Sequence, residues 1–115
     1  MATSQTISLN ENNDENVKVV VTTNVPTDGT VLDISAKTVE AYLKPSKGTA
    51  DTDPAVWKGS TATTGVTITD GPNGHCTVSV PAASVTTTMT WWRVDVLSSG
   101  LRKTAIYGPV TVVDL

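Results

Sequence analysis

A chain of 115 residues with a net charge of −3 has room for one domain with its own core. Its mild acidity argues against a nucleic-acid partner, which needs a basic patch. Thr (21 copies) and Val (17) make up about a third of the chain, and both are β-branched, favouring pleated, half-buried surfaces over helix.

The strand candidates begin at Gln5–Leu9. Val17–Thr23 follows, with Val17, Val19 and Val21 on one face, and then the short Val31–Ser35. Thr38–Lys44 alternates cleanly, with Val39, Ala41 and Leu43 on one face and Thr38, Glu40, Tyr42 and Lys44 on the other. Pro45–Ala62 is the longest irregular stretch. It is rich in Gly, Ser, Thr, Asp and Pro and carries the lone Trp57, and loops of this length tend to be functional or mobile. Gly65–Thr69 turns Val66 and Ile68 inward, and Cys76–Val80 turns Cys76, Val78 and Val80 inward. Thr88–Leu97, Leu101–Tyr107 and Val110–Asp114 complete the set, the last two separated by a Gly-Pro step. Turns are expected at Asp28-Gly29, at Asp70–Gly74 and at Ser98–Gly100. Short strands with turn signals every 8–12 residues predict an all-β, immunoglobulin-like antiparallel β-sandwich of seven to nine strands. The expected division is an N-terminal arm and acidic loop over residues 1–16 and a single sandwich domain over 17–115.

Cys76 is the only cysteine, so an internal disulfide is excluded and the staple common in small secreted domains is missing. The polar, acidic start has neither the basic nor the apolar region of a signal peptide. No apolar run reaches membrane-spanning length. No membrane association is expected, and synthesis in the cytoplasm followed by assembly with a partner is.

Chemistry-bearing patterns are sparse. His75 and Cys76 are neighbours, so in a strand they face opposite sides, and together they fall short of a zinc site's four ligands. The run Asn10–Glu15 lacks the glycine-punctuated spacing of a calcium loop, and Asp51 and Asp53 read as loop carboxylates. There is no Gly-x-Ser-x-Gly elbow and no phosphate-binding glycine loop. No catalytic residue, metal or cofactor is expected, nor an enzymatic role.

The aromatics carry more information. Trp91 and Trp92 are adjacent and must point to opposite faces. Trp92 is in register with Val94 and Val96 and is expected in the core. Trp91 shares a polar face with Arg93 and Asp95. A loop such as Pro45–Ala62 folding over it and a contact with another molecule would each account for it. The interface candidates are Ile7, Leu9, Tyr42, Trp57, Trp91 and Arg93.

The order of motifs resembles a family of small immunoglobulin-like phage structural domains, such as the BppU-like N-terminal domain of an upper baseplate protein. The segments that carry the resemblance are Val39-Glu-Ala-Tyr-Leu-Lys-Pro45, then Thr67–Val80 within VTITDGPNGHCTVSVPAASVT, Trp91-Trp-Arg-Val-Asp-Val96, and Ile106-Tyr-Gly-Pro-Val-Thr-Val112. Together they cover roughly residues 15–115. Baseplate forms usually open a longer protein, whereas here the sequence stops just after the last strand. The resemblance therefore implies a virion structural protein of a tailed phage, a head decoration protein first. It would bind the major capsid protein or other virion subunits on the outer shell, as a homo-oligomer, with the N-terminal arm, the long loop and the exposed Trp making the contacts. A tail or baseplate component is the alternative of the same class. A carbohydrate-binding or adhesion module, stacking sugars on Trp57, Trp91 and Tyr42, is the alternative of another class.

Overall fold

The computed structural model describes residues 3–21 and 32–114. Residues 1, 2, 22–31 and 115 lie outside it, and with them the Asp28-Gly29 turn and parts of two predicted strands. Among the described residues nine strands form two sheets: β1 (Thr3–Ser4), β2 (Ile7–Asn10), β3 (Glu15–Val20), β4 (Thr38–Lys44), β5 (Trp57–Ser60), β6 (Val66–Asp70), β7 (His75–Val80), β8 (Trp91–Ser98) and β9 (Leu101–Val113). The six-stranded sheet runs β1-β9-β8-β4-β5, with β2 also on β9. The three-stranded sheet runs β3-β7-β6. The fold is the expected immunoglobulin-like β-sandwich, and most of its pairings are antiparallel. β1 and β2 differ, each pairing in parallel with β9.

The core lies between the two sheets. Val39, Ala41 and Leu43 of β4 and Trp92, Val94 and Val96 of β8 meet Val19, Val66, Cys76, Val78 and Val80 of the smaller sheet. Val39 pairs with Val96, Ala41 with Val94 and Leu43 with Trp92, so both strands send matching residues inward, as a period of two requires. At about 25 cal/mol per Å² of apolar surface removed from water, each buried Val or Leu contributes roughly 1.5–3 kcal/mol.

Three expectations are corrected. The N-terminal segment is not an arm standing off the domain. Ile7–Asn10 pairs in register with Val110–Val113 of the same chain, and Leu9 is only 2% exposed, inside the core. Apolar residues at Ile7 and Leu9 satisfy the domain's own sheet edge. The Gly-Pro step does not end a strand either, since β9 runs unbroken through Gly108 and Pro109. Pro109, which has no N–H to give, sits where the neighbouring chain changes from β1 to β2. At that break the Gln5 carbonyl comes so close to Gly108 that a Cβ there would lie 2.0 Å from it. The same carbonyl accepts the Trp92 indole N–H at 2.8 Å. Glycine at 108 thus lets one backbone oxygen dock over the strand and hold the core Trp. Finally, the stretch Pro45–Ala62 is not irregular throughout. Its residues Trp57–Ser60 form β5 on the edge of the larger sheet.

The two predicted turns that fall within the described residues hold. Ser99 (φ 52°) and Gly100 (φ 80°) occupy the two central positions of the β8–β9 hairpin, and positive φ at both is the turn whose twist matches the flanking strands. Asp70 to Gly74 closes β6 onto β7 through a short 3-10 turn, with Gly74 at φ 74°.

Candidate functional site

The inward faces of β4 and β8 are apolar, so alternation forces Glu40, Tyr42 and Lys44, and Trp91, Arg93 and Asp95, onto the outer face of the larger sheet. Register then aligns them: Glu40 opposite Asp95, Tyr42 opposite Arg93, Lys44 opposite Trp91. From β9 come Tyr107, opposite Arg93, and Thr104, opposite Asp95. From β5 comes Lys58, opposite Tyr42. An outward polar face would ordinarily be solvated, yet Glu40, Tyr42, Lys44 and Asp95 are all buried. They are covered by one another, by the arginines above them and by the loop after β4.

Asp95 is the centre, with no exposed surface. Its carboxylate accepts Arg93 Nε at 2.9 and 3.1 Å, Arg102 Nη1 at 2.8 Å and Thr104 Oγ1 at 3.0 Å. A buried carboxylate persists only when its charge is matched and its lone pairs are filled, and here both conditions hold. Arg102 also reaches Glu40, at 2.8 Å, and its pKa is raised, first by the hydrogen bond to Asp95. Tyr42 lies beneath four cations: Arg93 at 4.5 Å from the ring centroid, Lys58 at 5.8 Å, and Lys44 and Arg102 at 6.0 Å. Such contacts are worth about 0.5–2 kcal/mol each, depending on desolvation. Its hydroxyl donates to Glu40 at 2.9 Å. Burial, then the hydrogen bond to Glu40, raises the Tyr42 pKa. For Glu40, burial pushes upward but is outweighed by the Tyr42 and Arg102 hydrogen bonds and the nearby Arg102 and Lys58 charges, so its pKa falls.

The loop between β4 and β5 is bolted onto this layer by Asp51. Its carboxylate takes the Arg93 fork, Nη1 at 3.2 Å and Nη2 at 2.7 Å, and pairs with Lys44. The Arg93 hydrogen bond is the main reason that the Asp51 pKa is lowered to about 2. Lys44 Nζ also donates to the Thr49 carbonyl at 2.8 Å, and Thr90 Oγ1 donates to the Pro45 carbonyl at 2.6 Å. Beside the bolt, Trp91 and Tyr107 form a tilted pair with centroids 5.8 Å apart, and Lys47 of the loop sits 5.3 Å over the Trp91 ring.

The interface candidates therefore separate. Trp91 and Arg93 share this face and remain half-buried, while Tyr42 belongs to it but is sealed beneath the cations. Leu9 is corrected to a core residue. Ile7 and Trp57 pack against the core from the inward side. The benzo edge of Trp57 occupies space left by Gly59 and Gly65, where an added Cβ would come within 2.7 and 2.9 Å of the ring. Sequence reasoning missed Asp51, Glu40, Asp95 and Arg102 as one cluster. The available signal was Glu40 and Lys44, and Arg93 and Asp95, on the outward faces of two strands whose other faces are apolar.

His75 is exposed and Cys76 buried on opposite sides of β7, and burial pushes the Cys76 thiol up to about 11. In the acidic run, Asp14 accepts the Ala82 N–H at 2.8 Å and Glu15 the Asn10 N–H at 2.9 Å, so both carboxylates serve backbone donors. No protein-family model matches this sequence, and no curated protein matches it.

Proposed function

We propose that this domain is a structural protein of a tailed-phage virion, a head decoration protein that binds the outer shell of the capsid in many copies. The observation that supports this most is the outer face of the six-stranded sheet. It carries a Trp91–Tyr107 pair next to an arginine aimed by a buried carboxylate, and aromatic residues and Arg are the side chains enriched in binding hot spots. The face is held rigid by its ionic layer, so little side-chain entropy is left to lose on docking. The contacts are assigned to this face and not to the N-terminal segment, which pairs with β9 and buries Leu9 within the domain. A tail or baseplate position would use the same face. Stacking of sugars is less well served: the two rings are inclined by 33°, and the Lys47 amine stands over Trp91.

The experiment is co-sedimentation with phage heads assembled without this protein. Wild-type protein is expected to pellet with the heads. Trp91→Ala, folded by circular dichroism, is expected to lose at least tenfold in affinity. Absence of wild-type binding to heads, with binding to tails or to glycans instead, would overturn the head assignment.

A further inference from the structure

We infer that the Arg93–Lys44 pair is a seat for a carboxylate of an acidic partner segment, and that Asp51 holds this seat as an internal stand-in until the partner displaces it. The proposal rests on the docking reading of the outer face and names the partner's chemistry.

The seat is built from below. Arg93 Nε is committed to the buried Asp95, which leaves the Nη1 and Nη2 fork to the loop carboxylate Asp51. Two parallel N–H donors are the geometry that a planar carboxylate fits. Lys44, whose side chain is only 5% exposed, adds a second cation fixed at the same spot. The occupant differs in kind from its hosts. Arg93 and Lys44 stand on central strands, whereas Asp51 comes from an exposed loop, with its side chain 39% exposed. It is the member of the cluster that can leave without breaking a strand pair.

Charge identifies the partner. On this face Lys44, Lys47, Lys58, Arg93 and Arg102 stand against Glu40, Asp51 and Asp95, five cations to three carboxylates, or +2. The chain as a whole is −3, so the remainder carries −5. The aromatic face thus forms a local positive pole on a chain that is acidic overall. Such a pole steers an acidic surface toward it and repels basic ones. When Asp51 leaves, the pole rises to +3.

The test uses N-acetyl hexaglutamate as probe, followed by NMR at the Arg93 Nε–H and the Trp91 indole N–H. Asp51→Ala is expected to bind the peptide at least tenfold more tightly than wild type, with affinity falling as salt rises. Asp53→Ala, which removes a loop carboxylate that accepts the Ala55 N–H at 2.9 Å and pairs with neither Arg93 nor Lys44 among the described residues, is expected to bind like wild type. Adding Arg93→Lys to Asp51→Ala keeps the charge but removes the fork, and is expected to abolish the gain. Equal binding by wild type and Asp51→Ala, or a gain that survives Arg93→Lys, would overturn the seat. Head co-sedimentation separates the two ideas. Heads that bind while the peptide shows no preference refute the seat alone. A peptide preference without head binding supports the seat and refutes the head assignment.

Discussion

Asp95→Ala removes the anion on which the outer face is organised. The side chain is fully buried and accepts from two guanidinium groups and one hydroxyl. Removing one partner of a buried ionic cluster costs about 3–5 kcal/mol, because the other charges lose their compensation. Here Arg93 keeps Asp51 and Arg102 keeps Glu40, and both arginine side chains reach water, at 20% and 41% exposure. The lower end of the range applies, about 3 kcal/mol. For a domain of this size that is a melting temperature lower by roughly 12 °C. Urea unfolding followed by Trp fluorescence, with an unchanged slope, measures it directly. Asp95→Asn keeps the shape but turns an amide donor toward guanidinium donors, and falls between Asp95→Ala and wild type. Thr104→Val deletes one neutral donor and costs about 1 kcal/mol. Stability of Asp95→Ala within about 0.5 kcal/mol of wild type, the scale of ordinary surface changes, would refute the view that this carboxylate organises the face.

Trp92→Ala costs about 3–5 kcal/mol, as for any buried large aromatic, whereas the half-buried Trp91→Ala costs about 1 kcal/mol; equal large losses in denaturation would show that both rings serve the fold alone. Gly108→Ala pushes a methyl into the Gln5 carbonyl and costs at least ~1–3 kcal/mol, with faster amide exchange at Gln5, whose N–H bonds the Tyr107 carbonyl; unchanged exchange would contradict the close approach. The Asp51 carboxylate has a lowered pKa in the folded state, so its hold on the loop is complete above the unfolded value of about 3.9 and is lost as pH falls toward about 2; Trp91 fluorescence should change across that window in wild type and not in Asp51→Asn. The Cys76 thiol, buried and pushed up to about 11, should stay unreactive toward a disulfide reagent at pH 8 until the protein is unfolded; stoichiometric labelling of the native protein would contradict its burial.

Local pattern revealed those parts of the fold that local pattern determines. β4 was legible to the residue because Thr38–Lys44 alternates without exception, and Val94 and Val96 identified Trp92 as the inward ring. The hairpin turns were legible because Ser99, Gly100 and Gly74 sit at positive φ, where few residue types are comfortable. β5 was hidden because Trp-Lys-Gly-Ser is short and interrupted by Gly59, which only the Trp57 packing explains. The parallel docking of β1 and β2 on β9 depends on residues a hundred positions apart, and no short-range signal encodes it. The ionic layer was least legible. Glu40, Asp51, Asp95 and Arg102 come from two central strands, a loop and a hairpin, and only the register of β4 on β8 and of β8 on β9 brings them together. Trp91 and Arg93 lie on the face that carries the ionic layer, while Ile7 and Leu9 lie on a strand that pairs with the domain's own β9.

Cryo-electron microscopy of phage heads assembled without this protein and then saturated with it tests the central proposal most directly. The expected map has one domain at each of many equivalent positions on the outer shell, with Trp91, Tyr107 and Arg93 against an acidic capsid surface. Bare heads at saturating protein, or domains attached with that face turned to solvent, would contradict it.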